Sequence, residues 1–196
     1  ASSHQFIKAL KNIVRSGYSG ARSASHRKNI ETSKKGQYRI KDNFLAFWFR
    51  FVYPMRSFIE SDHPEIAMTK LKTGFIPNHV GYVYEDICRQ KMWELNAQGK
   101  LPFLFDRVGR WWGGKDTEID IVAIDTTDRS KIIFGECKFH QNVPMQLSEL
   151  HQLKEKAAVV PWGNANRDEY FALFCISGYS EDLQQLAQED SHLLLM

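Results

Sequence analysis

Apolar and polar residues follow two different periods along the second half of the chain, and these periods predict its helices and strands. Residues 78–97 carry apolar side chains every three to four positions, which predicts an amphipathic helix that ends near Gly99. Its expected buried face consists of Val80, Val83, Tyr84, Ile87, Cys88 and Met92. Beyond it, short runs rich in Ile, Val and Phe lie between turn residues, as is typical of strands. We expect three strands, a helix, a fourth strand and a last helix within residues 105–113, 117–125, 131–139, 146–160, 169–177 and 180–190.

This order of elements determines the expected fold class. An α-β-β-β-α-β succession followed by one more helix predicts an α/β domain whose mixed sheet is flanked by helices. We assign this domain to residues 78–196. Two segments precede it, a basic N-terminal arm at residues 1–40 and an aromatic-rich helical segment at residues 41–77.

The basic arm combines a helical pattern at residues 4–15 with a stretch rich in Gly, Ser and basic residues at 16–36. That stretch is typical of a loop or a hairpin tip, and the sequence GQYRIKD after it predicts a short strand that closes the hairpin. A helix followed by a basic hairpin suggests a winged-helix-like extension. Residues 1–41 hold ten Lys or Arg and one acid, whereas the rest of the chain is acidic, which favours an anionic partner for the arm. The alternative is a solvated segment whose charges only maintain solubility.

The segment at 42–60 is densely aromatic, with Asp42 as a helix N-cap and Pro54 as a break. We expect a helix buried on most of its surface, because the rings are too crowded for all of them to face solvent. The alternative is that exposed rings stack on nucleobases. A second helical stretch near 65–72 is expected to lead into a turn at 74–77.

Composition narrows the class of protein. A 43% share of hydrophobic residues is enough for a packed core, and no apolar run reaches the roughly 18–20 residues of a membrane span. The three cysteines are scattered, which argues against a disulfide framework and a structural zinc site and fits a reducing compartment. No signal peptide is apparent, so we expect a cytoplasmic protein without a membrane partner.

Three charged residues stand inside the two central strands: Asp120 in the second, and Glu136 and Lys138 in the third. Buried strands seldom hold unpaired charges, because burying one costs several kcal/mol or shifts its pKa. Alternation predicts that Glu118, Asp120 and Val122 share one face and Ile119, Ile121 and Ala123 the other. Phe134, Glu136 and Lys138 likewise share a face. If the two strands pair, Asp120 and Glu136 converge, and two carboxylates in a cleft suit Mg²⁺ or Mn²⁺. The alternative is a cross-strand salt bridge that contributes little.

The motifs YRIKDNFLAFWFRFVYP, VGYVYEDIC, VGRWWG, EIDIVAID and GECKF occur in this order over about residues 37–185. Together they resemble the C-terminal restriction-endonuclease-like domain of unknown function, of the PD-(D/E)xK superfamily, that is attached to archaeal-type AAA+ ATPases. Asp120 followed by Glu136-Cys137-Lys138 is similar to that superfamily's D…(D/E)xK signature. The resemblance implies a metal site of Asp120 and Glu136, an additional acid on the preceding helix at Glu85, and a catalytic role for Lys138. Asp86 and Glu94 are alternatives to Glu85.

The resemblance also implies an ATPase domain in cis or in trans, although the chain has no GxxxxGK[ST] motif. In the sequence DRVGRWWGGKD, the side chains expected to grip nucleic acid are Arg107, Arg110, Trp111 and Trp112. The alternative is a hairpin in which one Trp packs inward and the other shields the sheet. On the following helix, Gln152, Lys154 and Lys156 are expected to be solvated, and the alternative is that they point to the site. In the basic arm, the expected phosphate contacts are Arg27, Lys28, Lys34 and Lys35.

The sequence thus leads to a Mg²⁺-dependent deoxyribonuclease, a hydrolase of phosphodiester bonds, as the first hypothesis. The second is a non-catalytic DNA-binding or regulatory module of an AAA+ ATPase that keeps the nuclease fold, because a fold does not determine an activity. The sequence leaves the oligomeric state open, with a homodimer as one alternative, since nucleases that cut two strands are often dimers.

Overall fold

The computed structural model describes most of the chain, namely residues 19–22, 37–113, 117–163 and 166–196. These residues form two compact units, the first comprising 19–22 and 37–80 and the second 81–196. The helix predicted at 4–15 lies outside the described residues, as do Arg27, Lys28, Lys34 and Lys35. Each unit is described separately below.

The first unit begins with a two-stranded antiparallel hairpin, β1 (Ser19–Arg22) and β2 (Gln37–Ile40). The strand predicted in GQYRIKD is therefore confirmed. Helical segments follow: α1 (Asn43–Phe47), a π-helical turn (Trp48–Val52), a 3-10 turn (Tyr53–Met55), α2 (Arg56–Glu60), α3 (Pro64–Phe75) and a second π-helical turn (Ile76–Val80). The Asp42 side chain caps α1 by accepting a hydrogen bond of 2.8 Å from the Leu45 N–H, as predicted.

The aromatic segment of this unit is less buried than its sequence suggests. No residue from 40 to 80 is buried, and Phe44 is 66% exposed, so the expectation of a mostly buried helix is wrong. The rings pack chiefly on one another, with Phe47, Phe51 and Phe75 around His79 at centroid distances of 5.5–6.3 Å. A physical reason is that the segment is broken into pieces of about one turn, which present no continuous apolar stripe. The predicted turn at 74–77 is also wrong, because helical geometry continues there.

The second unit is an α/β domain with a five-stranded mixed sheet, which confirms the predicted fold class. Its elements are α4 (Gly81–Ala97), β3 (Arg107–Gly113), β4 (Thr117–Ile124), β5 (Lys131–Lys138), α5 (Leu147–Ala158), β6 (Asp168–Cys175), α6 (Glu181–Glu189) and β7 (Leu193–Leu195). The strands lie in the order β3-β4-β5-β6-β7. The first three pair antiparallel, and the β5–β6 and β6–β7 pairs are parallel. Sequence reasoning missed β7, which is too short to show an alternating pattern.

Two apolar clusters fill the two sides of this sheet. On one side, Leu153 of α5 and Leu183 of α6 pack with Phe134 of β5. On the other, Cys88 and Met92 of α4 pack with residues of β4, β5 and β6. The sheet is therefore covered on both faces, and β5 lies in its middle with a run of five buried residues.

Helix α4 presents a mixed stripe to the sheet rather than a purely apolar one. Its buried residues are Glu85, Cys88, Met92 and Asn96. The Asn96 amide donates to the Phe105 carbonyl and accepts from the Phe105 N–H, both at 3.0 Å. Ile87, which was expected on the buried face, is 53% exposed because it lies one position, or about 100° of helix rotation, before Cys88. The helix ends before Gly99, which has a φ of 65°, as predicted.

A β-bulge interrupts the pairing of β3 with β4. Gly109 pairs with Val122 and Trp111 pairs with Ile119, so two residues of β4, Asp120 and Ile121, oppose the single residue Arg110. The predicted strict alternation is therefore wrong at this point. Ile119 belongs to the same cluster as Val122, whereas Ile121 packs on the opposite side of the sheet.

None of the helices in the described ranges is both long and apolar enough to cross a membrane.

Candidate active site

Two carboxylates meet where β4 and β5 leave the sheet core. The last antiparallel pair between these strands is Ile121 with Gly135, so Asp120 and Glu136 are the next residues along each strand. The pKa of Asp120 is raised, first by burial and second by the negative charge of Glu136. A hydrogen bond of 3.1 Å from the Cys137 N–H to Asp120 Oδ2 partly opposes this shift. The structure therefore brings together the two acids that the sequence singled out.

Two lysines hold Glu136 from opposite sides. Lys138 Nζ lies 2.8 Å from Glu136 Oε1, and Lys156 Nζ lies 3.0 Å from Glu136 Oε2. Burial alone would lower the pKa of Lys138. The charge and hydrogen bond of Glu136, together with the charges of Asp120 and Glu149, outweigh burial and raise that pKa. At neutral pH the Lys138 side chain is therefore an ammonium that donates hydrogen bonds.

Lys156 is a site residue that sequence reasoning assigned to solvent. It lies in the last turn of α5, directly before the buried Ala157, and its side chain turns toward Glu136. The expectation of a solvated charge was wrong. The pattern of a helix identifies its buried stripe, but it does not show which charged residue beside that stripe reaches a partner on the sheet. Lys154, on the same helix, lies 5.2 Å from the Phe171 ring centroid instead.

The predicted acid of the preceding helix, Glu85, also reaches this region. Its side chain is held by two arginines, with Arg110 Nη2 at 2.9 Å from Oε1 and Arg89 Nη1 at 3.6 Å from Oε2. The two alternatives to Glu85 have other partners: Asp86 pairs with Arg89, and Glu94 pairs with Lys91 at 3.1 Å. Glu85 therefore shares a cation with the Asp120 carboxylate.

Arg110 is that shared cation. The bulge places it opposite Asp120, and its Nη2 lies 3.2 Å from Asp120 Oδ1 as well as 2.9 Å from Glu85 Oε1. Its Nη1 lies 3.3 Å from Glu118 Oε2, and its guanidinium lies 5.4 Å from the Tyr82 ring centroid. Burial would lower the pKa of Arg110, but the charges of Glu85, Asp120 and Glu118 raise it. The side chain predicted to contact nucleic acid is therefore 9% exposed and surrounded by carboxylates.

The two tryptophans beside Arg110 both contact the core. Trp111 is only 3% exposed, so it offers no open ring face to a nucleobase, and the burial part of the prediction applies to it. Trp112 is half-buried and packs against the same cluster. Arg107, at the start of β3, is half-buried. The nucleic-acid prediction therefore rests on Arg107 and Trp112 within this hairpin.

The thiols of Cys137 and Cys88 lie close to the carboxylates. Cys137, between Glu136 and Lys138, hydrogen-bonds through its side chain with Cys88 of α4. Burial, followed by the contact with Cys88, raises the pKa of the Cys137 thiol well above its ordinary value. The Cys137 thiol is therefore protonated at neutral pH and contributes packing rather than charge.

Asp120 and Glu136 are the donors that suit a hard divalent cation. In the described part of the chain, no three His, Cys, Asp or Glu side chains lie close enough together to hold a metal ion. Mg²⁺, however, is commonly bound through one or two carboxylates, several waters and substrate phosphate oxygens. Burial and, after it, repulsion by Glu136 raise the pKa of Asp120, and a divalent cation between the two carboxylates would relieve that repulsion. This pair therefore fits Mg²⁺ or Mn²⁺.

Comparison with known proteins identifies relatives but no activity. Over 142 residues, 72% of this chain, it is 35% identical to an uncharacterized protein of Methanocaldococcus jannaschii. The chain spans about a third of the length of that relative, of which the match covers 31%. No solved structure matches the chain. Residues 48–157, more than half of the chain, match the family model for "Archaea bacterial proteins of unknown function". The chain therefore belongs to this archaeal and bacterial family.

Proposed function

We propose that the second unit is a restriction-endonuclease-like domain that hydrolyses phosphodiester bonds of DNA with Mg²⁺ or Mn²⁺. The observation that carries the proposal is the convergence of Asp120, Glu136 and Lys138 at the ends of two paired strands. The element order and the D…(D/E)xK spacing support the same assignment to the PD-(D/E)xK superfamily. Paired carboxylates beside a lysine are suited to phosphodiester hydrolysis.

In this mechanism Asp120 and Glu136 would hold the divalent cation. When bound there, it would lower the pKa of a water and neutralise charge on the phosphate. In the metal-free site, Glu85 orients the cluster from α4 through the guanidinium that it shares with Asp120. The contribution of the protein is to keep these oxygens in place before substrate binds.

Lys138 acts in this proposal as a cation rather than as a base. Its raised pKa keeps it protonated at neutral pH, so it does not accept a proton from water. Instead it stabilises negative charge that develops on the phosphate oxygens. Lys156, on the other oxygen of Glu136, either shares this role or only orients the carboxylate. Arg107 and Trp112 would contact the DNA strand, with a salt-dependent contribution from the basic arm.

The test is cleavage of supercoiled, linear, single-stranded and branched DNA with Mg²⁺ or Mn²⁺. We expect the wild type to cut, EDTA to abolish cutting, and Asp120→Asn to lose more than the roughly 10- to 100-fold that changes around a metal ligand cost. Lys138→Met is expected to lose about 10²-fold or more, the range of a proton-transfer or charge-stabilising group.

Two variants of one helix provide the matched control. Lys156→Met removes a contact to Glu136, whereas Lys154→Met removes a similar charge that lies over Phe171. We expect Lys156→Met to reduce the rate and Lys154→Met to leave it unchanged. Cleavage that Asp120→Asn retains in full would show a contaminating nuclease and contradict the proposal.

A second candidate function is a non-catalytic DNA-binding or regulatory module of an AAA+ ATPase, acting in cis or in trans. Arg110, Lys138 and Lys156 already neutralise the acids, an arrangement that also suits a site without a metal. The greater length of the M. jannaschii relative is compatible with an additional domain. DNA binding that is the same in wild type and Asp120→Asn, without cleavage of any substrate, would favour this function.

A further inference from the structure

The partners of Asp120 show what metal binding requires. Its Oδ2 accepts a hydrogen bond of 3.1 Å from the Cys137 N–H, and its Oδ1 lies 3.2 Å from Arg110 Nη2. The Cys137 N–H is part of β5 and has little freedom to move. A cation that ligates Oδ1 therefore competes with the guanidinium for that oxygen, because two positive groups about 3 Å from it repel each other.

We propose that Arg110 is an internal competitor for the metal site, an inference that rests on the proposed function. Its guanidinium holds Glu85 and Asp120 together when no divalent cation is bound. It withdraws when the cation binds, which also releases Glu85 toward the metal. Arg110 thereby sets the metal affinity of the site and keeps the acids in place in its absence.

The surroundings of Arg110 are suited to such a withdrawal. Its Nε atom is buried, and among the described residues no acceptor lies within hydrogen-bonding distance of it, so the observed position does not satisfy all its donors. Its outer partner, Glu118, is 44% exposed. The guanidinium can therefore move toward solvent while it keeps the Glu118 contact.

The experiment is a calorimetric titration with Mn²⁺ alone, with thermal unfolding followed in the presence and absence of Mn²⁺. Arg110→Gln removes the competing charge, and we expect it to bind Mn²⁺ about 10-fold more tightly than wild type or better. It should also unfold at a lower temperature without metal and recover more than wild type when Mn²⁺ is added.

Arg89→Gln is the matched control, because Arg89 contacts Glu85 and the main-chain oxygen of Asp120 but is not the guanidinium on Asp120 Oδ1. An equal gain in Arg89→Gln would show a general charge effect and overturn the inference. Arg110→Lys keeps the charge and is the variant to titrate if Arg110→Gln does not fold. A lysine cannot bridge three carboxylates as a guanidinium does, so tighter Mn²⁺ binding by Arg110→Lys supports the inference and unchanged binding overturns it.

Failure of the inference and failure of the proposed function give different results. If wild type binds Mn²⁺ and Arg110→Gln binds it equally or more weakly, only the role of Arg110 is wrong. If neither protein binds Mn²⁺, the metal-dependent function and the inference are both overturned.

Discussion

Two arginines of the second unit, Arg110 and Arg167, are buried to the same extent, each with 9% of its side chain exposed, but they have different kinds of partner. Arg167 Nε donates 2.9 Å to Glu169, and its guanidinium lies 5.4 Å from the Phe134 ring centroid. Its other donors bind main-chain oxygens at and after the end of α5, those of Ala157, Val160 and Trp162. Arg167 therefore completes a helix end, where carbonyl groups lack partners within the helix.

Arg110 instead contacts three carboxylates, and no main-chain oxygen is among the acceptors found for it in the described residues. Main-chain carbonyl groups carry no net charge, so they bind another cation less readily than carboxylates do. Carboxylates can exchange one bound cation for another. The difference indicates that two equally buried arginines can have different roles. Arg167 stabilises the fold, whereas Arg110 holds together a group of acids that the fold does not otherwise need.

The largest stability effect is expected at Arg167. Arg167→Met leaves several buried carbonyl groups without their donor, and we expect it to lower the free energy of unfolding by about 3 kcal/mol. Urea unfolding measures this loss. Arg129→Met is the control, because Arg129 is exposed and lies 4.4 Å from the Trp162 ring centroid, a contact worth about 0.5–1 kcal/mol. A larger gain in stability with Mn²⁺ in the Arg167 variant than in wild type would contradict the distinction between the two arginines.

A smaller effect is expected at Gly135, which lies in β5 next to Glu136 and pairs with Ile121 of β4. An added Cβ would lie 2.9 Å from the Ile121 Cβ and 3.0 Å from the Ala172 carbonyl oxygen, so Gly135→Ala must push strands apart. We expect it to lower the free energy of unfolding by about 1–3 kcal/mol. Because β4 and β5 separate, it should also weaken Mn²⁺ binding, which destabilisation at Arg167 should not do. Unchanged affinity would show that the carboxylate spacing is not set by this contact.

The smallest effect is expected for Asp120→Asn, and this substitution should increase the free energy of unfolding. The folded protein raises the pKa of Asp120 above its ordinary value of 3.8, so folding holds a proton that the unfolded chain releases. The stability contributed by this group is therefore present at low pH and lost as pH rises through the raised pKa. Asp120→Asn lacks this loss. In EDTA its stability relative to wild type should increase with pH above about 4 and then stay constant, as urea midpoints between pH 3.5 and 8 would measure. A relative stability that falls with pH would contradict this assignment.

Much of the second unit follows from its sequence, because long periodic segments and neighbouring strands constrain one another. The pairing of β4 with β5 through a short turn brought Asp120 and Glu136 together as predicted. The bulge at Asp120 was not predictable, because alternation alone shows neither where an extra residue enters a pair nor which face follows it. It is this bulge that places Arg110 against the acids and moves Ile119 to the other side of the sheet.

The observed roles of Arg110 and Lys156 were not predicted, because both depend on partners distant in sequence. Arg110 and Lys156 contact acids on other elements, and nothing in their local sequence distinguishes them from solvated charges. In the first unit the error was different. The aromatic residues near Phe44 predicted a buried core, but the short helical segments that carry them do not enclose one. Apolar composition predicts a tendency to be buried, but the lengths and directions of the helices decide whether burial occurs.

Helix α4 is attached near both ends, by the ion pair of Glu85 with Arg110 and by the paired amide contacts of Asn96 with Phe105. The number of residues between these two positions is consequently fixed, as are the two residue types. One inserted or deleted residue between them would rotate one attachment by about 100° around the helix axis relative to the other, and no side-chain adjustment can restore both. Related chains should therefore vary in length in the connection after Gly99 while keeping the number of residues from Glu85 to Asn96 unchanged.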